Sequence, residues 1–459
     1  MKSRTFIIAV LSLFASVSFA AFSEAPPAFT YKDGKAVFVD FSHAEYELHF
    51  DNHSKTVSVE STIDFEVHEA GFPVFDLVPE PTDLTLDGVP VEQALSLDPD
   101  AQTSFRILQS KVPVGRHQLK LKHGLTTNVV WSDLGVASAF WLSDLNDRSY
   151  LEQYVPSNLE FDQYSKKVTV NLIGLEGLAH TLKANGTVTK LSEEKLEVTY
   201  PAKYTSSSVF FHLFPEKSIT SNVSFYYPSI DGRKIPVDIY TTVAIDPFVV
   251  LTKGILAELE ADYGPFPHDQ LLVYGVSLVK GGMEYSGATS TGLLSLGHEL
   301  FHSYNARGVM PANGNSGWMD EGLSRWRDNL YRQLPGIAHP SAKLAGHSVW
   351  RRSTDSNSYA QGSAFLSLVS HKMNERGLHL KTFLKEYFQR NMFRTVTTEV
   401  FERDLAQFSG MDFSEDFSRY IYGRSTPSRT KAVRVEADPH HPRYTKKELL
   451  ELTMPRGRR

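Results

Sequence analysis

The chain of 459 residues contains no cysteine. No disulfide can therefore support the fold in an oxidising compartment. A closed structural zinc site of the usual cysteine-rich kind is ruled out, and there is no thiol to carry a lipoprotein's acyl chain. Excess positive charge is missing too. Lys and Arg number 47 against 53 Asp and Glu, a formal net charge of -6, which argues against a nucleic-acid partner. Nor does any stretch approach the ~18 consecutive apolar residues of a membrane-spanning helix. What the chain has is bulk: 41% of residues are hydrophobic and 12% aromatic, enough for a sizeable core. The length allows two or three domains.

The most informative stretch is His298-Glu299-Leu300-Phe301-His302. Two histidines four apart lie on one face of an α-helix, a turn above each other. Both imidazoles can then bind a single metal ion, with the intervening Glu299 beside it as general base. Leu294, Leu296, Leu300, Phe301 and Tyr304 supply apolar bulk for such a helix, and no proline interrupts it before Pro311. Zinc held by two histidines needs a third protein ligand. Glu321, separated from His302 by eighteen residues, lies in Trp318-Met319-Asp320-Glu321-Gly322. Leu323, Trp326 and Leu330 recur there at helical spacing, so a second amphipathic helix is expected to bring Glu321 against the first. The expected cofactor is one Zn2+ per chain, held by His298, His302 and Glu321. The competing reading is a pair of satisfied core histidines.

The two histidines, the eighteen-residue spacing and the glutamate resemble the signature of the gluzincin metallopeptidases, which include aminopeptidase N and leukotriene hydrolase. Gly281-Gly282-Met283-Glu284-Tyr285 resembles that family's G-x-M-E-N motif, with Tyr in place of Asn. Tyr359-Ala360-Gln361-Gly362 is similar to its Y-x-K-G motif. His302-Ser303-Tyr304-Asn305 and Met310-Pro311 resemble the related glycyl aminopeptidases, so the chain sits between two branches. The resemblance covers roughly residues 140 to 423. It implies that Tyr359 faces the substrate carbonyl as an oxyanion donor. It also implies that Gly281, Gly282, Met283 and Glu284 form an edge strand beside the zinc, where the peptide adds by β-pairing. Glu284 would then hold the substrate's protonated N-terminus. A glutamine of the N-terminal domain shares that task in the family; Gln153 is a candidate, against the alternative of a surface loop. Only thirteen residues separate Glu284 from His298, fewer than in the aminopeptidase branch.

In chain order, Met1 to Ala20 has Lys2 and Arg4, an apolar run from Phe6 to Phe14 and the ending Ser18-Phe19-Ala20. A charged start, short apolar core and small-x-small end describe a secretory signal peptide. The mature protein is expected to be soluble and exported, periplasmic or secreted. Residues 21 to 235 read as strands, with alternation over Val57 to Val67, Gln118 to Lys122, Lys167 to Leu172, Leu196 to Tyr200 and Val223 to Tyr227. An antiparallel β-sandwich or saddle domain is expected, as the family resemblance also implies; a generic carbohydrate-binding or adhesion module is the alternative.

From Ile235 the periodicity changes. A strand at Pro236 to Thr241, a helix from Asp246 to Ala261 and a strand from Leu271 to Leu278 lead into the glycine-rich motif. Gly336 to Asn357 is loop-like, with His339 and His347 as surface residues. Helices follow at Gln361 to Glu375, Leu380 to Arg390, Glu399 to Phe408 and Phe413 to Tyr420. The fold class is α+β multidomain, with residues 236 to 425 as a catalytic domain that the resemblance makes thermolysin-like. Residues 426 to 459 form a polar, basic tail with no room for a large helical cap, so the cleft should be open. The expected function is an exported zinc aminopeptidase acting on peptides. A secreted endopeptidase with an open groove and a non-catalytic peptide-binding relative remain as alternatives, and the sequence does not give the oligomeric state.

Overall fold

A computed structural model describes residues 25–160, 162–338 and 342–424. The expected signal peptide, the tail from 426 and His339 lie outside the described residues.

The N-terminal part is built from strands, and its alternating runs are the reason. Thr56–Val67 buries every second residue, so one face packs and the other meets water. It pairs with Asp40–Asp51 on one side and Gly115–Gly124 on the other, inside an eight-stranded sheet. A five-stranded sheet and a four-stranded sheet complete this part. One core joins them, including Tyr46, Phe65, Leu119, Val170, Tyr154 and Phe211.

The expectation of a purely antiparallel domain needs correcting. Ser165–Ile173 runs parallel to Asp40–Asp51, and Gly34–Phe38 runs parallel to Phe72–Phe75. Alternation of polarity shows which face of a strand is buried but not which way it runs. Parallel neighbours need long crossovers, and here more than a hundred residues separate the first pair.

The second part opens earlier than the change of periodicity at Ile235. Ser221–Pro228 forms a hairpin with Lys234–Thr241, and both belong to a five-stranded mixed sheet with Leu271–Ser277, Ala288–Gly292 and Gly282–Tyr285. Gly282–Tyr285 is the edge strand, paired only with Ala288–Gly292. Helix α1 (Asp246–Tyr263) makes the crossover between parallel strands, burying Phe248, Leu251, Ile255, Leu259 and Tyr263 at three- and four-residue spacing. It stops at Gly264, whose φ of 101° suits glycine, and Pro265 follows.

Helix α2 (Leu296–Asn305) carries the two histidines and α3 (Trp318–Asp328) carries Glu321. Leu330 does not continue α3, as its spacing had suggested. The helix ends at Asp328, and Leu330 and Tyr331 both take left-handed φ values, 60° and 51°. That reversal leaves Leu330 exposed and swings Tyr331 into the core against Trp326, with ring centroids 4.9 Å apart. Helices α4 (Ser363–Asn374), α5 (Leu380–Asn391), α6 (Thr398–Ser409) and α7 (Ser414–Tyr420) complete the helical part. No helix among the described residues is long and apolar enough to cross a membrane.

The two parts are tied together by buried ions. Arg352, from the loop before α4, donates to Asp76 (2.5 Å) and Glu152 (3.0 Å), and Arg148 donates to the other oxygen of Asp76 (2.7 Å). Asp76 and Glu152 are fully buried. Burial pushes both carboxyls above their ordinary values, against the pull of the arginines. Removing one partner of a buried pair typically costs about 3–5 kcal/mol, since the other charge is left uncompensated. Arg352→Ala should lose that much stability in urea titrations at about pH 7.5. A carboxyl whose folded pKa is raised weakens the fold as pH climbs past its unfolded value of about 4. The deficit against the parent should therefore shrink at about pH 5; a deficit that grows on acidification would contradict this account of the cluster.

Candidate active site

Helix α2 presents His298 and His302 on one face, with ring centroids 4.7 Å apart. Helix α3 crosses it so that Glu321 Oε2 lies 3.1 Å from His298 Nε2 and 3.8 Å from His302 Nε2. One ligand atom from each of the three lies within 4.8 Å of the others. The outer nitrogens are held from behind. His298 Nδ1–H donates to Asp328 Oδ2 (2.8 Å), while His302 Nδ1 forms an ion pair with Asp320 and lies 3.2 Å from Ser324 Oγ. Such carboxylate partners fix the tautomer so that Nε2 carries its lone pair toward a metal. Sequence reading missed both aspartates. Their signal was present: Asp320 precedes Glu321, and Asp328 follows it by two helical turns on the same face.

The donor set suits a divalent cation. Two imidazoles and a carboxylate converge, which is the ligand chemistry of catalytic zinc. The surroundings are strongly acidic. Burial would lower the pKa of His298, yet Asp328 and Glu321 hold it up at about 10. The same site would accommodate a metal ion in place of those protons.

Glu299 points toward the edge strand. A Cβ on Gly282 would fall 2.5 Å from its Oε1, so a side chain at Gly282 would displace the carboxylate. Gly281 has φ 115°, a conformation that favours glycine, and its N–H is fixed by Ser295 Oγ at 3.0 Å. Burial raises the Glu299 carboxyl to about 8, against the opposing pull of His298 and His302. Met283 follows on the same strand and packs against the N-terminal core. Tyr285, where the family motif has Asn, is fully buried and meets Phe210 edge-on at 5.1 Å. The edge strand is thereby clamped by the β domain.

Tyr359 arrives from a single π-turn, Ser358–Gly362, placed before α4. Such turns recur at functional sites. Gly362 lies against Gly322, where an added Cβ would come within 3.1 Å of the other glycine's Cα. This close approach sets Tyr359 beside Glu321. Its hydroxyl donates to Glu321 Oε1, and its ring stacks on His298 at 6.0 Å and 14°. Burial and the Glu321 charge raise its pKa. The resemblance has this tyrosine facing the substrate carbonyl; in the structure its hydroxyl rests on the Glu321 carboxylate.

Glu284 also reaches the site, but it is not free. Arg307, just beyond α2, donates to Glu284 Oε1 (2.6 Å) and to Ser207 Oγ (2.9 Å), and both charged groups are buried. Burial would raise the Glu284 carboxyl, and Arg307 pulls it below its ordinary value. Asp144, from the β domain, joins Glu284 and Asp320 in a cluster whose oxygens lie within 4.8 Å. Its backbone carbonyl accepts from Thr354 N–H (2.8 Å), while its buried Oδ2 has no hydrogen-bond partner. Burial, then Glu321 and Glu284, push its pKa well up. No described contact joins Gln153 to this cluster. Gln153 ends a short 3-10 turn whose neighbour Glu152 belongs to the buried ion cluster. The acid supplied by the β domain is Asp144, which no motif marked.

No protein-family model matches the sequence, and no curated protein matches it. Solved structures do, and they show the fold, which is that of the M1 zinc metallopeptidases. The M1 zinc metallopeptidase of Deinococcus radiodurans, seen with a Tyr-Ser-Ala substrate, aligns with a TM-score of 0.59 at 16% identity, over 86% of this chain and 96% of that one. Legionella pneumophila aminopeptidase A gives 0.62 at 16% identity, over 83% of this chain and 49% of that one. Yeast LTA4 hydrolase gives 0.60 at 13%, over 89% and 70%.

If Asp328 holds His298 for metal binding, Asp328→Ala should weaken zinc affinity about 10–100-fold, the usual effect of removing such a partner. Competition with a chromophoric chelator measures it. Unchanged affinity would show that the His298 imidazole is oriented without Asp328.

Proposed function

We propose that the chain is a zinc-dependent aminopeptidase with a thermolysin-like catalytic domain, exported to the periplasm or the medium. Export rests on the charged, apolar and small-residue pattern of residues 1–20. One observation carries the activity. The convergent set His298, His302 and Glu321 lies beside two buried carboxylates, Glu299 and Glu284, the second of them on an edge strand.

One zinc ion per chain would sit on His298, His302 and Glu321. When bound, zinc supplies a Lewis acid that polarises a carbonyl and lets water ionise near neutral pH. The chain's own groups do the rest. Backbone of the peptide adds to the outer edge of Gly282–Tyr285, where Gly281 and Gly282 let it approach. Asp144 Oδ2, with Glu284, accepts hydrogen bonds from the substrate's terminal ammonium and so sets the first peptide bond beside Glu299. Glu299 takes the proton of the attacking water and delivers it to the leaving amine nitrogen as the C–N bond breaks. Tyr359 turns its O–H from Glu321 to the carbonyl oxygen as charge develops there.

Two variants test this. Glu299→Gln keeps the shape but cannot accept a proton. Turnover should fall by about 10²–10⁴-fold while bound zinc is retained, and a fully active variant would place the base elsewhere. Hydrogen bonds to charged groups contribute about 1.5–3 kcal/mol, and 1.4 kcal/mol is a factor of ten. Asp144→Asn should therefore raise KM for free-amine peptides roughly 10–100-fold and leave N-acetylated peptides unaffected. Equal cleavage of free and acetylated peptides by the unmodified protein would instead make it an endopeptidase.

A further inference from the structure

A second cavity, of about 480 Å³, lies away from the metal-ligand cluster and within the ~300–1,000 Å³ range of small-ligand sites. In the five-stranded mixed sheet, Gly282–Tyr285 is one edge and Ser221–Pro228 is the other, four strand spacings or roughly 19 Å apart. The cavity belongs to the Ser221–Pro228 end. Its floor is the sheet face turned toward the β domain, whose core includes Leu272 and Tyr240. Ser224 pairs with Asp238 and Asp238 with Leu272, while Tyr226 pairs with Pro236 two positions along, so these side chains share that face. The wall is His180–Ala184 and the turn at Gly186. That strand is an edge of its own sheet, and its ladder partner among the described residues is Phe211–Pro215.

The groups that meet here are of unlike kinds. Tyr226 lines the cavity yet is 70% exposed, so most of its ring is uncovered. Lys183 donates to Asp238 Oδ2 (2.5 Å), and Ser224 Oγ donates to the other oxygen of that carboxylate (2.9 Å). Lys183 and Asp238 keep 24% and 28% of their side chains exposed, and they are the charged residues of the lining. The side-chain amide of Gln270 has no described hydrogen-bond partner. One cation and one anion in contact leave no net charge, so a phosphate, carboxylate or ammonium group finds its counter-charge already taken. The ligand that suits such a lining is neutral, with polar atoms set around an apolar body. Hydroxyls both donate and accept. Two neighbouring sugar hydroxyls can therefore accept from Lys183 and donate to Asp238 together, while the C–H face of the pyranose lies on an aromatic ring. A peptide strand offers its backbone polar atoms along its edges, whereas the ion pair and the Gln270 amide stand on the floor.

We propose that this cavity binds a neutral oligosaccharide. One pyranose ring stacks on Tyr226, and its hydroxyls bond to Asp238, Lys183 and Gln270. The junction of the two parts of the chain then carries a carbohydrate site remote from the metal-ligand cluster, and this holds whether or not the chain is an aminopeptidase.

Saturation-transfer NMR on the zinc-loaded, full-length protein tests this with maltotriose, cellotriose and triacetylchitotriose as probes. At least one sugar should receive saturation, most strongly at its ring C–H protons. Titration of that sugar should show binding weakened about tenfold by Tyr226→Ala and by Asp238→Asn. Tyr226→Phe keeps the ring and should bind as the parent does. Tyr226 is exposed, so its truncation leaves the core intact, and peptide hydrolysis should not change. Absence of transfer to all three sugars overturns the site. So does binding that neither Tyr226→Ala nor Asp238→Asn weakens. If acetyl-Val-Thr-Val-Thr-amide binds in a Tyr226-dependent way and the sugars do not, the cavity is a strand-docking groove and the proposal falls.

Discussion

The structure depends on one constraint: two imidazoles must each turn Nε2 toward the same point. A lone histidine on a helix has two tautomers and a free ring rotation, neither of which backbone geometry fixes. Here each ring is committed through Nδ1, His298 to Asp328 and His302 to Asp320, and both carboxylates come from α3. Helix α3 thus does two things in eleven residues. It supplies Glu321 to the same point, and it locks the histidines that face it. A chain without cysteine has no thiolate to offer a metal, so orientation of nitrogen and oxygen donors must carry the site.

Glycines set the distances around that core by leaving side chains out. Gly322 and Gly362 let α3 and the π-turn touch backbone to backbone, which is what brings the Tyr359 ring onto His298. Gly282 leaves the volume that the Glu299 carboxylate occupies. A side chain at Gly282 would displace the Glu299 carboxylate, and one at Gly322 or Gly362 would push the two backbones apart.

Much of this was readable in the sequence, and the unreadable remainder has a physical pattern. Histidine spacing, the Glu321 offset, the helices and the long alternating strands are local, periodic signals. They matched α2, α3, α4 to α7 and Thr56–Val67 closely. Leu330 failed because periodicity cannot register a left-handed reversal that ends the helix at Asp328, two residues short of it. Strand direction failed because polarity alternation is the same in both directions. Asp144 and Arg307 were invisible for another reason. Each acts through partners far away in sequence, Asp144 with Glu284 and Arg307 with Ser207, and no periodic pattern encodes such a meeting.

Those long-range meetings tie the β domain to the part that carries α2 and α3. Arg307 leaves the end of α2 and is held by Ser207 of the β domain while it pairs with Glu284. Tyr285, next along the edge strand, is buried in that domain's core. Asp144 comes from the β domain itself, on a segment anchored by Thr354 N–H and the Arg352 ion cluster. The acid end of the cleft is therefore a property of the interface rather than of either part. Neighbouring buried carboxylates repel one another. Arg307 relieves that repulsion at Glu284 and leaves Asp144 as the group with hydrogen-bonding capacity to spare. The opposite end, with Lys280 and Arg325, is open to solvent and needs no such compensation.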